Sequence, residues 1–374
     1  MPAKRKNRNG ARAPSDARAA AARNILETRI KQLKTISYAS LLIGLIAMVV
    51  SLFVLFRAPA AATNSSTLPS LPSTVTLTGS LITPQTSLPD APVITANAAF
   101  GSRLTNINAP LNSSELNIFN NAPNSYFEKA GEMYLNHTLN NTVGISATNS
   151  TMIYVNNKPS VVYLGAISCI WCGENRWAMA LALGRFGNFS ELFKGYSALQ
   201  DGDVPTLYWA PAHYNASGYA DFGNFYTSDY INFISVDYAS PIKAGFQLPQ
   251  SLQYFVTAAK NTSNTAYETA MQLIVRLNNF QGTPYTIWGK FSAPGADAVA
   301  FGNSPPSSQS EILIANMTHE QMLSTIAAPN SQLAWTEYAG ADIYIAMMCA
   351  SMNNTAPVCS LPAITQIEKQ NGYT

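Results

Sequence analysis

Between Lys34 and Arg57 the chain runs for 22 residues without a charged side chain, and from Ile36 to Phe56 it reads ISYASLLIGLIAMVVSLFVLF. A helix needs about 20 apolar residues to cross about 30 Å of hydrocarbon, so residues 36–56 are expected to span a lipid bilayer once. Residues 1–35 hold ten Lys/Arg against Asp16 and Glu27, a local charge of +8. The positive-inside rule keeps such an arm in the cytoplasm and sends everything after Arg57 outside. Ala58-Pro59-Ala60 imitates a signal-peptidase site, but the basic lead and the apolar core are both too long for a cleaved signal. An uncleaved, single-pass anchor in the cell membrane is therefore the expectation. Nucleic-acid binding by the arm is not expected, because no aromatic residues interleave its charges.

The formal charge of the whole chain is only +2, which leaves −6 beyond residue 35. Ten Asn-x-Ser/Thr sequons lie after the anchor, at Asn64, Asn112, Asn136, Asn140, Asn149, Asn188, Asn215, Asn261, Asn316 and Asn353. They are glycosylation candidates on an exterior that carries few charges. From Ala58 to Pro89 there is no charge at all, only an Ala, Ser, Thr, Leu and Pro text that favours extended chain. Residues 57–123 are accordingly expected to form a stalk, and residues 124–374 an extracytoplasmic α/β domain.

Within that domain Ser160–Gly165 (SVVYLG) reads as a short buried strand. Cys169-Ile170-Trp171-Cys172 follows at once. The Ala-, Leu- and Met-rich run Glu174–Phe186 then predicts a helix, with Gly187 after its end. A Cys-x-x-Cys between a strand and a helix points to thiol redox chemistry, because unpaired amides at a helix N-terminus stabilise a thiolate. Cys169 is expected to face solvent and attack, and Cys172 to resolve the mixed disulfide. Trp171 is a candidate contact for a protein partner, or it packs inward. Glu174 and Arg176 read as a solvated face.

Three other readings compete. A zinc half-site lacks a second ligand pair at suitable spacing, and His137, His213 and His319 are scattered. Met347, Met348, Cys349 and Met352 offer soft ligands for copper, although on an apolar helix methionine ordinarily packs. A purely structural Cys169–Cys172 bridge would restrain the unfolded chain little. Cys349 and Cys359 flank a turn-rich segment, and in an oxidising exterior they are expected to form a structural disulfide. No metal or cofactor is expected.

Further strands are expected at Pro205–Ala210 and Tyr230–Tyr238. Helices are expected at 250–260, 265–278, 310–326, with a capping box at Thr318, and 337–351. Gly282–Lys290 (GTPYTIWGK) reads as turn, proline, strand, turn.

The run VVYLGAISCIWCGENRWAMALALGRFGNFSEL, together with GTPYTIWGK and the helix bearing Cys349, resembles an archaeal family catalogued as domain of unknown function 929. The resemblance covers roughly residues 156–360. It implies a thioredoxin-like fold on a membrane anchor, while the family name carries no activity. In thioredoxin-like domains a cis proline opens the strand that faces the cysteines, which assigns Thr283 and Pro284 to docking an extended peptide. The interval from the cysteines to Pro284 then implies a helical insertion over about residues 189–280. The resulting expectation is a thiol–disulfide oxidoreductase acting on protein thiols or disulfides outside the membrane. The alternative is a non-catalytic envelope binding or assembly protein, with copper handling as one form of it.

Overall fold

The computed structural model describes residues 74–79, 81, 84–86, 107–139, 141–142, 146–147, 152–197, 204–213, 219–239, 253–278, 283–288, 291–294, 300–301, 314 and 317–373. The compact unit to which they belong spans Leu71–Thr374. The basic arm and the segment 36–56 lie outside the described residues. Among those residues no helix is long and apolar enough to cross a membrane.

In chain order the strands are β1 (Thr74–Leu77), β2 (Gln85–Thr86), β3 (Asn141–Thr142), β4 (Ser146–Ala147), β5 (Met152–Val155), β6 (Lys158–Ala166), β7 (Gly187–Phe189), β8 (Phe193–Tyr196), β9 (Pro205–Tyr208), β10 (Tyr219–Phe222), β11 (Tyr226–Ser228), β12 (Asn232–Ala239), β13 (Tyr285–Trp288), β14 (Phe291–Pro294) and β15 (Ala300–Phe301). The helices are α1 (Ser113–Asn120), α2 (Asn124–Leu135), α3 (Ile170–Leu183), α4 (Gln253–Asn261), α5 (Thr265–Asn278), α6 (His319–Ala327), α7 (Gln332–Ser351) and α8 (Pro362–Asn371). The fold is mixed α/β.

The main sheet runs β2-β10-β12-β6-β13-β14-β4, with β5 also paired to β6 and β1 to β5. Strand β6 lies at its centre because nothing along its inner length is polar enough to need water: from Ser160 to Ala166 every residue is buried. It pairs in parallel with β12 and antiparallel with β13. A parallel partner requires a crossover, which is supplied by α3 and the strands that follow it.

Alternation along the strands separates two cores. Val161, Tyr163 and Phe233 join Trp177 of α3 and Tyr344 and Met347 of α7 on one face. Val162, Leu164, Ala166, Ile234 and Val236 join Phe255 of α4 and Tyr267 and Ile274 of α5 on the other.

Several boundaries differ from the sequence reading. The sequence reading expects the interval 189–280 to be a helical insertion, but among its described residues β8 to β12 lie within Phe193–Ala239, and the helices are α4 and α5 near its end. The strands expected at Pro205–Ala210 and Tyr230–Tyr238 form, and the weakly signalled Phe193–Tyr196 and Tyr219–Phe222 are recruited as their antiparallel partners. Helix α3 ends at Leu183 and is capped at Gly184, while Gly187 pairs in β7. Part of the supposed stalk is structured too. Asn112 caps α1 through a capping box with Glu115, and Phe119 is fully buried.

Candidate functional site

The antiparallel register Tyr285↔Leu164 brings the start of β13 to the end of β6 that feeds the cysteine turn. Thr283 and Pro284 are buried beside that turn, and the peptide bond between them is cis. Cys169 is the N-cap of α3, and its Sγ accepts from the Cys172 N–H at 3.4 Å. The same sulfur donates toward the Thr283 carbonyl oxygen at 3.7 Å. Cys172 lies one turn in, where its Sγ accepts from the Ala166 N–H at 3.3 Å. The two sulfurs are not bonded to each other.

Cys169 does not face solvent, as the sequence reading expected: it is 2 % exposed. As N-cap it turns its sulfur back over the helix end, toward its own amides and Thr283, instead of outward. Trp171 is half-buried and packs against the hydrophobic clusters around both cysteines and around Ile170.

The residues after the motif are not a solvated face either. Arg176 is fully buried, with Nη2 donating to Asp237 Oδ1 at 2.5 Å and to the Ala166 carbonyl at 3.0 Å. Its guanidinium lies 5.8 Å from the Tyr163 ring and 5.7 Å from the Tyr208 ring. Burial and the facing Asp237 carboxylate explain why a charge persists there: burial opposes the guanidinium's charge, and Asp237 more than restores it. Strand β6 leaves room for the pair through Gly165, where a Cβ would come within 2.6 Å of Asp237 Oδ1. Glu174 is buried as well, at 6 % exposure. Burial pushes the Cys172 thiol up, but the Cys169 sulfhydryl, the Arg176 charge and the Ala166 amide outweigh it and hold the thiol below its ordinary value.

Asp237 was not among the residues singled out from the sequence. The only signal for it was an acid inside the apolar run INFISVDY, which implies a buried cation as partner.

Cys349 of α7 and Cys359 form a disulfide that closes the turn between α7 and α8. Met347 and Met348 beside it are buried in the core. Among the described residues no group of three His, Cys, Asp or Glu is placed to hold a metal ion. Of the sequon asparagines, Asn112, Asn136, Asn188, Asn261 and Asn353 are exposed. Asn64, Asn140, Asn149, Asn215 and Asn316 lie outside the described residues.

The fold and site thus define a mixed α/β protein with a dithiol at the mouth of a core helix. Residues 144–245 match the model of the family described as Domain of unknown function (DUF929). No curated protein and no solved structure matches the chain.

Proposed function

We propose that the chain is a membrane-anchored, extracytoplasmic thiol–disulfide oxidoreductase with a thioredoxin-like domain. The observation that carries this reading is the meeting of Cys169 Sγ, the N-terminus of α3 and the Thr283 carbonyl within hydrogen-bonding reach. A strand feeding a Cys-x-x-Cys turn, a helix opening on it and a proline-led antiparallel strand beside it are the parts such a site needs. The apolar segment 36–56 supports the anchor, and the change of charge across it supports the orientation.

In the proposed reaction the Cys169 thiolate attacks one sulfur of a substrate disulfide, forming a mixed disulfide and releasing one substrate thiolate. The Cys172 thiolate then attacks Cys169 Sγ and releases the second. Two electrons have passed to the substrate, and Cys169 and Cys172 are bridged. Run backward, the same steps oxidise a substrate dithiol. Thr283 and Pro284 dock the extended substrate chain, and Trp171 borders that contact.

Purified full-length protein is expected to exchange disulfides with glutathione, read by alkylation and mass spectrometry, and Cys169→Ser to abolish exchange. Exchange by Cys169→Ser at the parental rate would refute the assignment.

The burial of Cys169 favours one other reading, a binding or assembly scaffold whose pair stays bridged. Titration against glutathione separates the two, since a potential below about −300 mV marks an inert structural bridge.

A further inference from the structure

Strand β10 pairs antiparallel with β12 so that Asp221 lies directly opposite Asp237. Both point to the face of the sheet that carries α3, because their neighbours Phe222 and Val236 point to the other core. Two carboxylates opposed across strands repel, and both are buried at 6 % exposure. Each therefore needs a cation of its own. Asp237 has Arg176. Asp221 has His213, whose Nδ1 lies 2.7 Å from Oδ1 and whose backbone N–H donates to Oδ2 at 3.0 Å.

The outcome is a line of charged groups from the thiol to the surface. At the inner end Arg176 grips the Ala166 carbonyl, and the Ala166 N–H touches Cys172 Sγ. At the outer end the His213 side chain is 22 % exposed. Among the described residues, the other titratable groups facing this line include Tyr163 and Tyr208, whose rings face the guanidinium, and Cys169. Burial holds the Tyr163 hydroxyl in its protonated form, so it adds no charge.

The geometry points to His213 as a positioning residue for the Cys169–Cys172 couple: through Asp221, Asp237 and Arg176, its proton biases how readily Cys172 becomes a thiolate. With His213 protonated the four groups sum to zero. With His213 neutral they carry one uncompensated negative charge, and a thiolate at Cys172 adds a second. The histidine is suited to the task in that burial disfavours its charge while Asp221 more than restores it, so that it titrates above its ordinary range. The linkage deepens the redox reading above and rests on it for its use, but the coupling itself is measurable without any substrate.

The test compares His213→Lys, which keeps a positive charge at all relevant pH, with His213→Gln, which carries none. In the reduced full-length chain the ultraviolet absorbance of thiolate is followed as pH rises, with alkylation mass confirming that Cys349–Cys359 stays bridged. The His213→Lys curve is expected at lower pH than the His213→Gln curve by at least half a unit, about threefold in ionisation constant. The parent follows His213→Lys at acid pH and merges with His213→Gln once His213 has lost its proton. Coincident curves for two variants with parental melting temperatures overturn the proposal, and His213→Arg replaces His213→Lys if the latter does not fold. Glutathione exchange by the parent is measured alongside. Separated curves without exchange leave the coupling standing and remove the redox reading, while exchange with coincident curves does the reverse.

Discussion

Arg176 shows how much one side chain governs here. It is fully buried, it holds the carbonyl of the strand that feeds the cysteine turn, and it neutralises Asp237. Removing one member of a buried pair leaves the other charge without compensation, which destabilises by about 3–5 kcal/mol. Arg176→Met is therefore expected to lower stability by that amount and to raise the Cys172 thiol, whose second electrostatic support is lost. Adding Asp237→Asn should recover most of the stability but not the thiol's acidity. Denaturant unfolding of the two variants checks this, and equal instability of the single and double variants would show that packing dominates the Arg176 contribution.

Among the elements, α3 and α7 meet along an interface that carries more polar groups than its burial suggests. Asn175 Nδ2 donates to the Tyr344 hydroxyl at 2.6 Å. Glu337 is fully buried, and neither of its carboxyl oxygens has a hydrogen-bond partner among the described residues. Burial, reinforced by Glu174, holds Glu337 well above the ordinary carboxylate range and favours its protonated form. Glu337→Gln keeps the shape without the ionisable proton. It should stabilise the protein at pH 7 by at least about 1 kcal/mol, the equivalent of roughly one pKa unit, with little gain at pH 4. Unfolding of parent and variant at both pH values measures this, and equal gains at both would show that ionisation is not the cause.

The same helix carries Cys349, whose bridge to Cys359 closes a loop of ten residues. Cys359→Ser is expected to lower stability by about 3 kcal/mol on the chain-entropy estimate, read by calorimetry.

These elements also show what could be read in advance. The strand around Ser160–Gly165, helix 265–278 and the Thr318 capping box with Gln321 were legible because their signals are local: apolar runs, uninterrupted helix formers, a cap and its partner three residues on. The Cys-x-x-Cys turn was legible for the same reason. What escaped depends on distant partners. Arg176 and Glu174 follow a helix start and look solvated, and only Asp237, 61 residues further on, and Glu337 on another helix reveal that they are buried. The strands expected at Pro205–Ala210 and Tyr230–Tyr238 are present as β9 and β12, whereas β7, β8, β10 and β11 are three or four residues long, too short for periodicity to announce them.

For the molecule as a whole, these buried groups set a response to acid that differs from ordinary acid denaturation. Glu337 and Asp342 are held well above their usual values by burial, and their carboxyl oxygens have no hydrogen-bond partner among the described residues. A carboxyl raised in the folded state binds its proton there before the unfolded chain does. Between the folded value and the unfolded value near 4, stability therefore increases as pH falls. His319 works the other way. It is buried between β8 and β9, its Nε2 placed 2.7 Å from the Gly195 carbonyl and 3.0 Å from that of Thr206, and burial pushes it down to about 4. A histidine lowered in this way contributes stability above the unfolded value near 6.5, lost as pH falls to about 4 and amounting to about 3 kcal/mol. Over the upper part of the range the two carboxyls oppose the imidazole, which has already lost its proton in both states. The full-length chain is therefore expected to melt higher at mildly acid pH than at pH 8. His319→Gln should extend the plateau toward pH 4, and Glu337→Gln should flatten the decline toward pH 8. Melting curves of the three proteins from pH 4 to pH 8 decide the matter: a parental melting temperature that climbs steadily from pH 5 to pH 8 would mean that the buried carboxyls are ionised in the folded protein.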